Sequence, residues 1–300
     1  MKRYTFILIA LMATLTLGAG IHENAGEYGY QFLDIPISPL NMAMAGRGVH
    51  SPLSNASWIL QPAVSCMQNG KSAAAAHSVW IGETAYTTAW YSNANRKSHM
   101  GLALRNLNYG DIEKRDETGY LLGYYQPVDI AVSGNYARRI NPTLYAGMNL
   151  SVVYQKLDTA SSLGLATDFG LTALPPLKDT MISFAIRNLG ISNKTDEEAI
   201  DLPLSVDLDF YKGIPLGNEM MGLEAGIQKS VDEDLQYTMA MELSLLTLLR
   251  LRGGYKFNHD SQSFSAGLGV QLSRFGIDYA FAAFDEGLED VHSFGLRYNF

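Results

Sequence analysis

From about residue 72 onward, apolar and polar side chains alternate along the chain. In residues 263–272, Phe264, Ala266, Leu268, Val270 and Leu272 share one parity, and Ser263, Ser265, Gly267, Gly269 and Gln271 share the other. Residues 275–284 set Phe275, Ile277, Tyr279 and Phe281 against Gly276, Asp278, Ala280 and Ala282. The same holds for 249–257, 221–229 and 204–211, where Leu204, Val206, Leu208 and Phe210 oppose Ser205, Asp207, Asp209 and Tyr211. The chain ends in this pattern, with Phe294, Leu296, Tyr298 and Phe300 on one side and Arg297 on the other. A strand sends alternate side chains to opposite faces, so each segment predicts one greasy face and one small or polar face. Each run is about nine to twelve residues, longer than ordinary soluble strands and matched to a tilted crossing of a bilayer. An open sheet cannot cross hydrocarbon with its edge groups unpaired, so the sheet has to close. The pattern therefore predicts an all-β fold, a transmembrane antiparallel β-barrel with lipid outside and a polar lumen. A secreted soluble β-sandwich, the rival, asks for strands nearer six residues.

Spacers test that expectation. Gaps at 285–291, 258–262, 231–234, 191–202 and 157–162 alternate with shorter or Pro/Gly-rich gaps at 273–274, 246–248, 213–219, 175–179 and 141–142. Long outer loops and short periplasmic turns are the habit of such barrels. The count is about fourteen strands if 110–127 is one outer loop, and about fifteen if YLLGYYQ is a strand of its own; the even number is expected. Residues 21–71 lack the alternation and carry Pro36, Pro39, Pro52 and Pro62. Only Met42–Gly48 suggests a short helix. Backbone of this kind cannot face lipid, so the segment is expected in the lumen as a plug. Ahead of it, Lys2 and Arg3 precede an apolar run from Tyr4 to Leu17 and then small residues. This reads as a secretory signal peptide cleaved near Ala19 or Gly20, too short for a spanning helix. No cysteine stands at that point for lipidation. The expected organisation is thus 1–20 signal peptide, 21–71 plug and 72–300 barrel.

Charge and composition narrow the chemistry. Net charge is −8 and charged residues make up 17% of the 300, below the roughly 25% of soluble domains. No basic patch with interleaved aromatics offers itself to nucleic acid. Cys66 is the single cysteine, so no disulfide forms within the chain, and it reads as a small buried hydrophobe. The inward parity carries Asp168, Asp207, Asp209, Glu224, Glu242, Arg250, Arg252, Asp278 and Arg297. Both signs occur, and buried charges need opposite neighbours, so paired lumen charges are expected. The acidic loop 284–291 lacks the ligand spacing of a calcium loop. The six histidines are scattered without an H-x-x-x-H pair, which argues against zinc. There is no G-x-S-x-G and no phosphate loop. Adjacent His77 and Ser78 point to opposite faces of a strand, so they cannot pair with each other. No cofactor, no metal and no enzymatic activity are expected; an enzyme would need a Ser, a His and a carboxylate or amide converging at one height.

Residues 38–67, SPLNMAMAGRGVHSPLSNASWILQPAVSCM, resemble the opening of the PorV/PorQ proteins, outer-membrane barrels related to the FadL transporters. The matching pieces are Ala43-Met44-Ala45-Gly46, Asn55-Ala56-Ser57 and Pro62-Ala63. Residues 108–140, NYGDIEKRDETGYLLGYYQPVDIAVSGNYARRI, are similar to a second family pattern, which supports treating 110–127 as a loop. Gln61, one methylene longer, stands where the family has Asn ahead of Pro62-Ala63. The resemblance implies an outer-membrane location, in contact with its lipid, and a plug motif at Gln61, Pro62 and Ala63. It implies an accessory role in type IX-like protein secretion, with secretion components or cargo meeting outer loops such as 110–127 and 191–202. FadL kinship implies the alternative, transport of hydrophobic small molecules through a pocket between plug and lumen wall.

Overall fold

A computed structural model describes residues 22–51, 54–195, 198–246, 248–259, 261–285 and 287–300; the expected signal peptide lies outside them. In chain order the strands are β1 (Gly70–Val79), β2 (Ala85–Asn95), β3 (Ser98–Asn108), β4 (Ile112–Arg115), β5 (Leu121–Tyr125) and β6 (Val128–Asn141). Then come β7 (Leu144–Leu157), β8 (Ala160–Ala173), β9 (Thr180–Ser192), β10 (Lys194–Thr195), β11 (Glu198–Ala199) and β12 (Ser205–Leu216). The last are β13 (Glu219–Ser230), β14 (Gln236–Leu245), β15 (Leu249–Phe257), β16 (Gln262–Leu272), β17 (Phe275–Phe284) and β18 (Val291–Asn299). Fourteen of them close into one antiparallel barrel, sealed where β1 pairs with β18. The remaining four form two small hairpins, β4–β5 and β10–β11, outside the wall. YLLGYYQ is therefore extended, as one of the two sequence readings had it, yet it pairs with β4 in the loop and adds nothing to the barrel.

Period two sets the wall. Along β12, Val206, Leu208 and Phe210 are 40–45% exposed, while Ser205, Asp207 and Asp209 are buried. Phe264, Leu268 and Leu296 likewise point out of the barrel. A closed barrel that presents an apolar exterior is wetted by lipid, so the strands make the crossing; no described helix is long and apolar enough to cross a membrane. Strands β6, β7 and β8 run 14 residues each, longer than the sequence runs suggested. Their ladders continue beyond the apolar stretch into the loops. Other expected boundaries shift slightly: the barrel begins at Gly70, and β12 carries through Pro215 to Leu216 before its turn. Connections between β2 and β3, β6 and β7, and β16 and β17 are tight, whereas 109–127 and 193–204 are long and lie at the other end, the outer end by the usual asymmetry.

The N-terminal segment runs inside this wall. Its one α-helix is Pro39–Ala43, earlier than the expected Met42–Gly48. Ser38 caps it by accepting the Asn41 N–H, and Pro39 occupies the first turn, where a missing N–H costs nothing. Left-handed Ala45 and Gly46 end it. Three 3-10 turns follow the same interior course: Gln31–Asp34, Ser57–Ile59 and Val64–Met67. Tyr30, Phe32, Met42 and Trp58 are all buried. Wall glycines make room for the segment. A Cβ at Gly147 would sit 2.3 Å from the Pro62 carbonyl oxygen, and one at Gly254 would sit 2.7 Å from the Met44 carbonyl carbon. Small residues on the lumen parity thus let two backbones approach closely.

Candidate functional site

Every lumen charge singled out from the sequence faces inward, and most are tied to the N-terminal segment or to each other. On the β12 side, Arg47 donates from Nη1 to Asp207 at 2.7 Å, with Asp209 at 3.4 Å. Arg187 on β9 donates from Nε to the other Asp207 oxygen at 2.8 Å and reaches Asp34 at 3.2 Å. One carboxylate therefore bridges wall and plug through two guanidinium groups. Further round the wall, on β14, β15 and β17, Arg252 donates to Glu242 at 2.7 Å and to Asp278 at 2.6 Å. Ser51 of the plug donates to Glu242 at 2.9 Å. Arg297 lies 3.8 Å from Asp278 and donates to Gln271 at 2.7 Å. Arg250 is half-buried and makes no ion pair among the described residues. Opposite signs compensate one another, as low-dielectric burial demands.

A third group meets the geometric condition set for an enzyme. His50 Nε2 lies 2.7 Å from Ser183 Oγ, and His50 Nδ1 lies 3.3 Å from Glu224. The Val49 N–H also donates to Glu224 at 3.1 Å, and Thr172 Oγ1 lies 2.8 Å from Ser183. Nucleophilic chemistry needs a place beside the hydroxyl for the reacting atom. Here Ser183, Thr172 and both partner side chains are wholly buried between plug and wall. The arrangement acts as a tie across that contact.

Gln61, Pro62 and Ala63 pack on β7 and β8. The Gln61 side chain folds back to accept the Ala63 N–H at 3.2 Å, and its Oε1 fills the space over Gly170, where a Cβ would come within 2.0 Å. The Pro62 carbonyl accepts from Asn135 at 3.2 Å, and Asn149 donates to the Trp58 carbonyl and to Asp168, each at 2.9 Å. Burial pushes the Cys66 thiol up to about 12, which leaves it an inert hydrophobe.

Sequence reasoning missed Arg187, though Ile182, Phe184 and Ile186 against Ser183, Ala185 and Arg187 carry the same alternation. Asn188, which a bulge opposite Asp168 also turns inward, breaks parity and could not be found that way. Asp34, Arg47 and His50 sit in aperiodic chain, where no spacing announces direction.

Among the described residues, cavities open at the outer rim, beside the plug and at the inner end. The largest, about 400 Å³, lies at the outer rim, lined by Tyr109, Ile112, Pro127, Leu157, Ala160 and Ile200 among others. Beneath it, Tyr30, Phe32, Leu33 and Leu202 form a buried apolar cluster on which Tyr109 and Ile200 pack. A second cavity of about 210 Å³ opens between the plug and β13–β17. A polar one of about 260 Å³ lies at the inner end, beside Asn55, Lys71 and Asn299.

With this geometry in view, solved structures can be compared. The CymD monoaromatic hydrocarbon channel is 12% identical, over 89% of this chain and 98% of its own, with a TM-score of 0.64. The fold is that of the FadL-type outer-membrane barrels. The Pseudomonas putida toluene transporter TodX (9% identity, 87% and 96% covered, TM-score 0.62) and a Pseudomonas aeruginosa FadL homologue (11%, 88% and 98%, 0.58) agree. Neither a protein-family model nor a curated protein matches the chain. The chain is a closed fourteen-stranded outer-membrane barrel whose fold is similar to that of FadL-type barrels, and the narrower likeness to PorV/PorQ proteins rests on residues 38–67 and 108–140 alone.

Proposed function

We propose that the protein admits small hydrophobic molecules across the outer membrane, with its N-terminal segment as the internal barrier. The observation that carries this reading is the apolar outer chamber standing directly on the apolar cluster around Tyr30 and Phe32. A greasy solute gains roughly 25 cal/mol for each Å² it removes from water there, and the apolar side chains of Tyr30, Phe32 and Leu33 stand below the chamber. The names of the similar barrels, a hydrocarbon channel and a toluene transporter, point the same way. Placing a charge in the chamber with Ile200→Lys is expected to lower uptake of radiolabelled toluene by host cells about tenfold, the equivalent of ~1.4 kcal/mol of lost apolar contact. Unchanged uptake in a correctly assembled variant contradicts the reading.

A secretion accessory is the second reading. The outer hairpin favours it: Tyr120, Leu122 and Tyr124 stand exposed on or beside β5, and Lys114 of β4 is ion-paired to Asp158. Exposed apolar groups of this kind mark interaction surfaces. Replacing Tyr120, Leu122 and Tyr124 with Ser, none of which lines the outer chamber, separates the two readings, because it abolishes export of a cargo in the second and leaves the chamber intact in both.

A further inference from the structure

The second cavity opens among the connections that follow β1, β13 and β15, at the outer end of the barrel. Its charges are balanced within the protein. Asp34 pairs with Arg187 at 3.2 Å, Arg47 with Asp207 at 2.7 Å, and the Lys256 ammonium is offset by Glu233 and Asp34 on the same lining. Nothing there asks for an ion.

What is left toward the space is neutral and able both to donate and to accept. Four glutamines border the chamber, and three of them engage one half of the amide. Gln31 donates to Asp232 and to the Tyr28 carbonyl, Gln236 donates to Glu233 at 2.9 Å, and Gln228 accepts from Arg47 at 3.0 Å. The other half of each, and both halves of the buried Gln262 amide, make no hydrogen bond among the described residues. His259 accepts the Ser261 and Gln262 N–H groups on Nδ1 at 3.2 and 2.9 Å, so its proton is on Nε2. Burial, aided by the Lys256 charge, pushes this ring down to about 3, and it stays a neutral donor. An apolar stretch completes the lining: Trp80 and Phe284, both half-buried, meet edge to face at 5.7 Å, and Ile35 of the plug borders the same space.

A hydroxyl both donates and accepts, so it satisfies such amides whichever way they are turned. A ring of hydroxyls also has an apolar C–H face, which an aromatic surface can cover. The volume of about 210 Å³ lies between the roughly 150 Å³ that holds one benzene and the roughly 300 Å³ at which drug-sized sites begin. That is room for one substituted six-membered ring. We propose that this chamber binds a neutral monosaccharide, its C–H face against Trp80 and Phe284 and its hydroxyls on the glutamine amides and His259. The site is separate from the outer apolar chamber and does not depend on passage of hydrophobic molecules through it.

Glucose, galactose and mannose are the probes, titrated into the full-length protein in a detergent without a sugar headgroup and followed by saturation-transfer NMR. Saturable binding of at least one is expected, with the corresponding uronate, the same ring carrying a carboxylate, at least about tenfold weaker. Gln262→Leu keeps the shape and removes a donor and an acceptor. It is expected to weaken the sugar about tenfold and to leave toluene uptake unchanged. No saturable binding of any of the three hexoses, or equal affinity for hexose and uronate, overturns the proposal on the native protein without any variant. Undiminished hexose binding by a folded Gln262→Leu barrel overturns it as well. Toluene uptake reports on the outer chamber independently, so failure of one proposal is distinguishable from failure of the other.

Discussion

Asp207→Ala is expected to release the N-terminal segment from the β12 side of the lumen and to destabilise the folded protein by about 3–5 kcal/mol, the usual cost of removing one partner from a buried ion pair. Asp207 is almost wholly buried and serves Arg47 of the plug and Arg187 of the wall at once. Without it, Arg187 retains its ion pair with Asp34 at 3.2 Å, and Arg47 retains Asp209 at 3.4 Å and Gln228 at 3.0 Å. Each guanidinium then keeps one carboxylate at longer range and has lost its shortest charged hydrogen bond in a low-dielectric site. Charge repulsion and the search for water both push Arg47 outward, and with it the backbone between Ala45 and Ser51. Equilibrium unfolding in urea measures the loss. Limited proteolysis within residues 40–66 reports the loosened segment, which is protected in the native protein by its burial. Resistance of the variant equal to that of the native protein would mean that the plug is held elsewhere.

The second large effect comes from shape. Adding one methyl group at both Gly147 and Gly254 is expected to unseat the plug while the barrel still closes. The obstructing atoms are main-chain: the Pro62 carbonyl at 2.3 Å and the Met44 carbonyl carbon at 2.7 Å. Main chain cannot swing aside as a side-chain tip does, and overpacking of this kind costs about 1–3 kcal/mol at each site. The wall itself is held by its full ladder of strand pairs and has less reason to yield than a segment with few regular hydrogen bonds. Planar-bilayer conductance is expected to rise in the Gly147→Ala/Gly254→Ala protein. Gly134→Ala, where a Cβ meets nothing within 4 Å, serves as the control and leaves conductance unchanged.

The barrel was legible from the chain because period two is a local signal that closure enforces at every turn of the wall. Val206, Leu208 and Phe210 could only face lipid once Asp207 and Asp209 faced inward, and both sides of that statement are written in five residues. The same rule located Glu224, Arg252, Asp278 and Arg297 on the lumen side. It could not say which of them meet. The ties of Arg47 to Asp207, and of His50 to Glu224, span more than 150 positions and join periodic chain to aperiodic chain. Parity gives no direction to residues such as Arg47 and His50. The hairpin of β4 and β5 is a related case: its extended character was readable, but a strand that pairs locally and one that joins the wall look alike until the partner is known. The bulge at Asn188 is another, since it inserts one residue and moves an amide into the lumen against the count.

The central claim is that hydrocarbon wets one face of each strand while the chain's own N-terminal segment fills the other side. Nitroxide labelling at residues 205, 206, 208 and 210 of β12, in lipid vesicles and in a Cys66→Ala background, tests both halves together. Labels at 206, 208 and 210 should be relaxed by oxygen dissolved in the bilayer, and a label at 205, which leaves the ion pairs of Asp207 and Asp209 intact, should be immobile and shielded from both oxygen and aqueous reagents. Equal accessibility at 205 and at the even positions, or shielding of 206, 208 and 210 inside a compact particle that needs no lipid, would contradict the account.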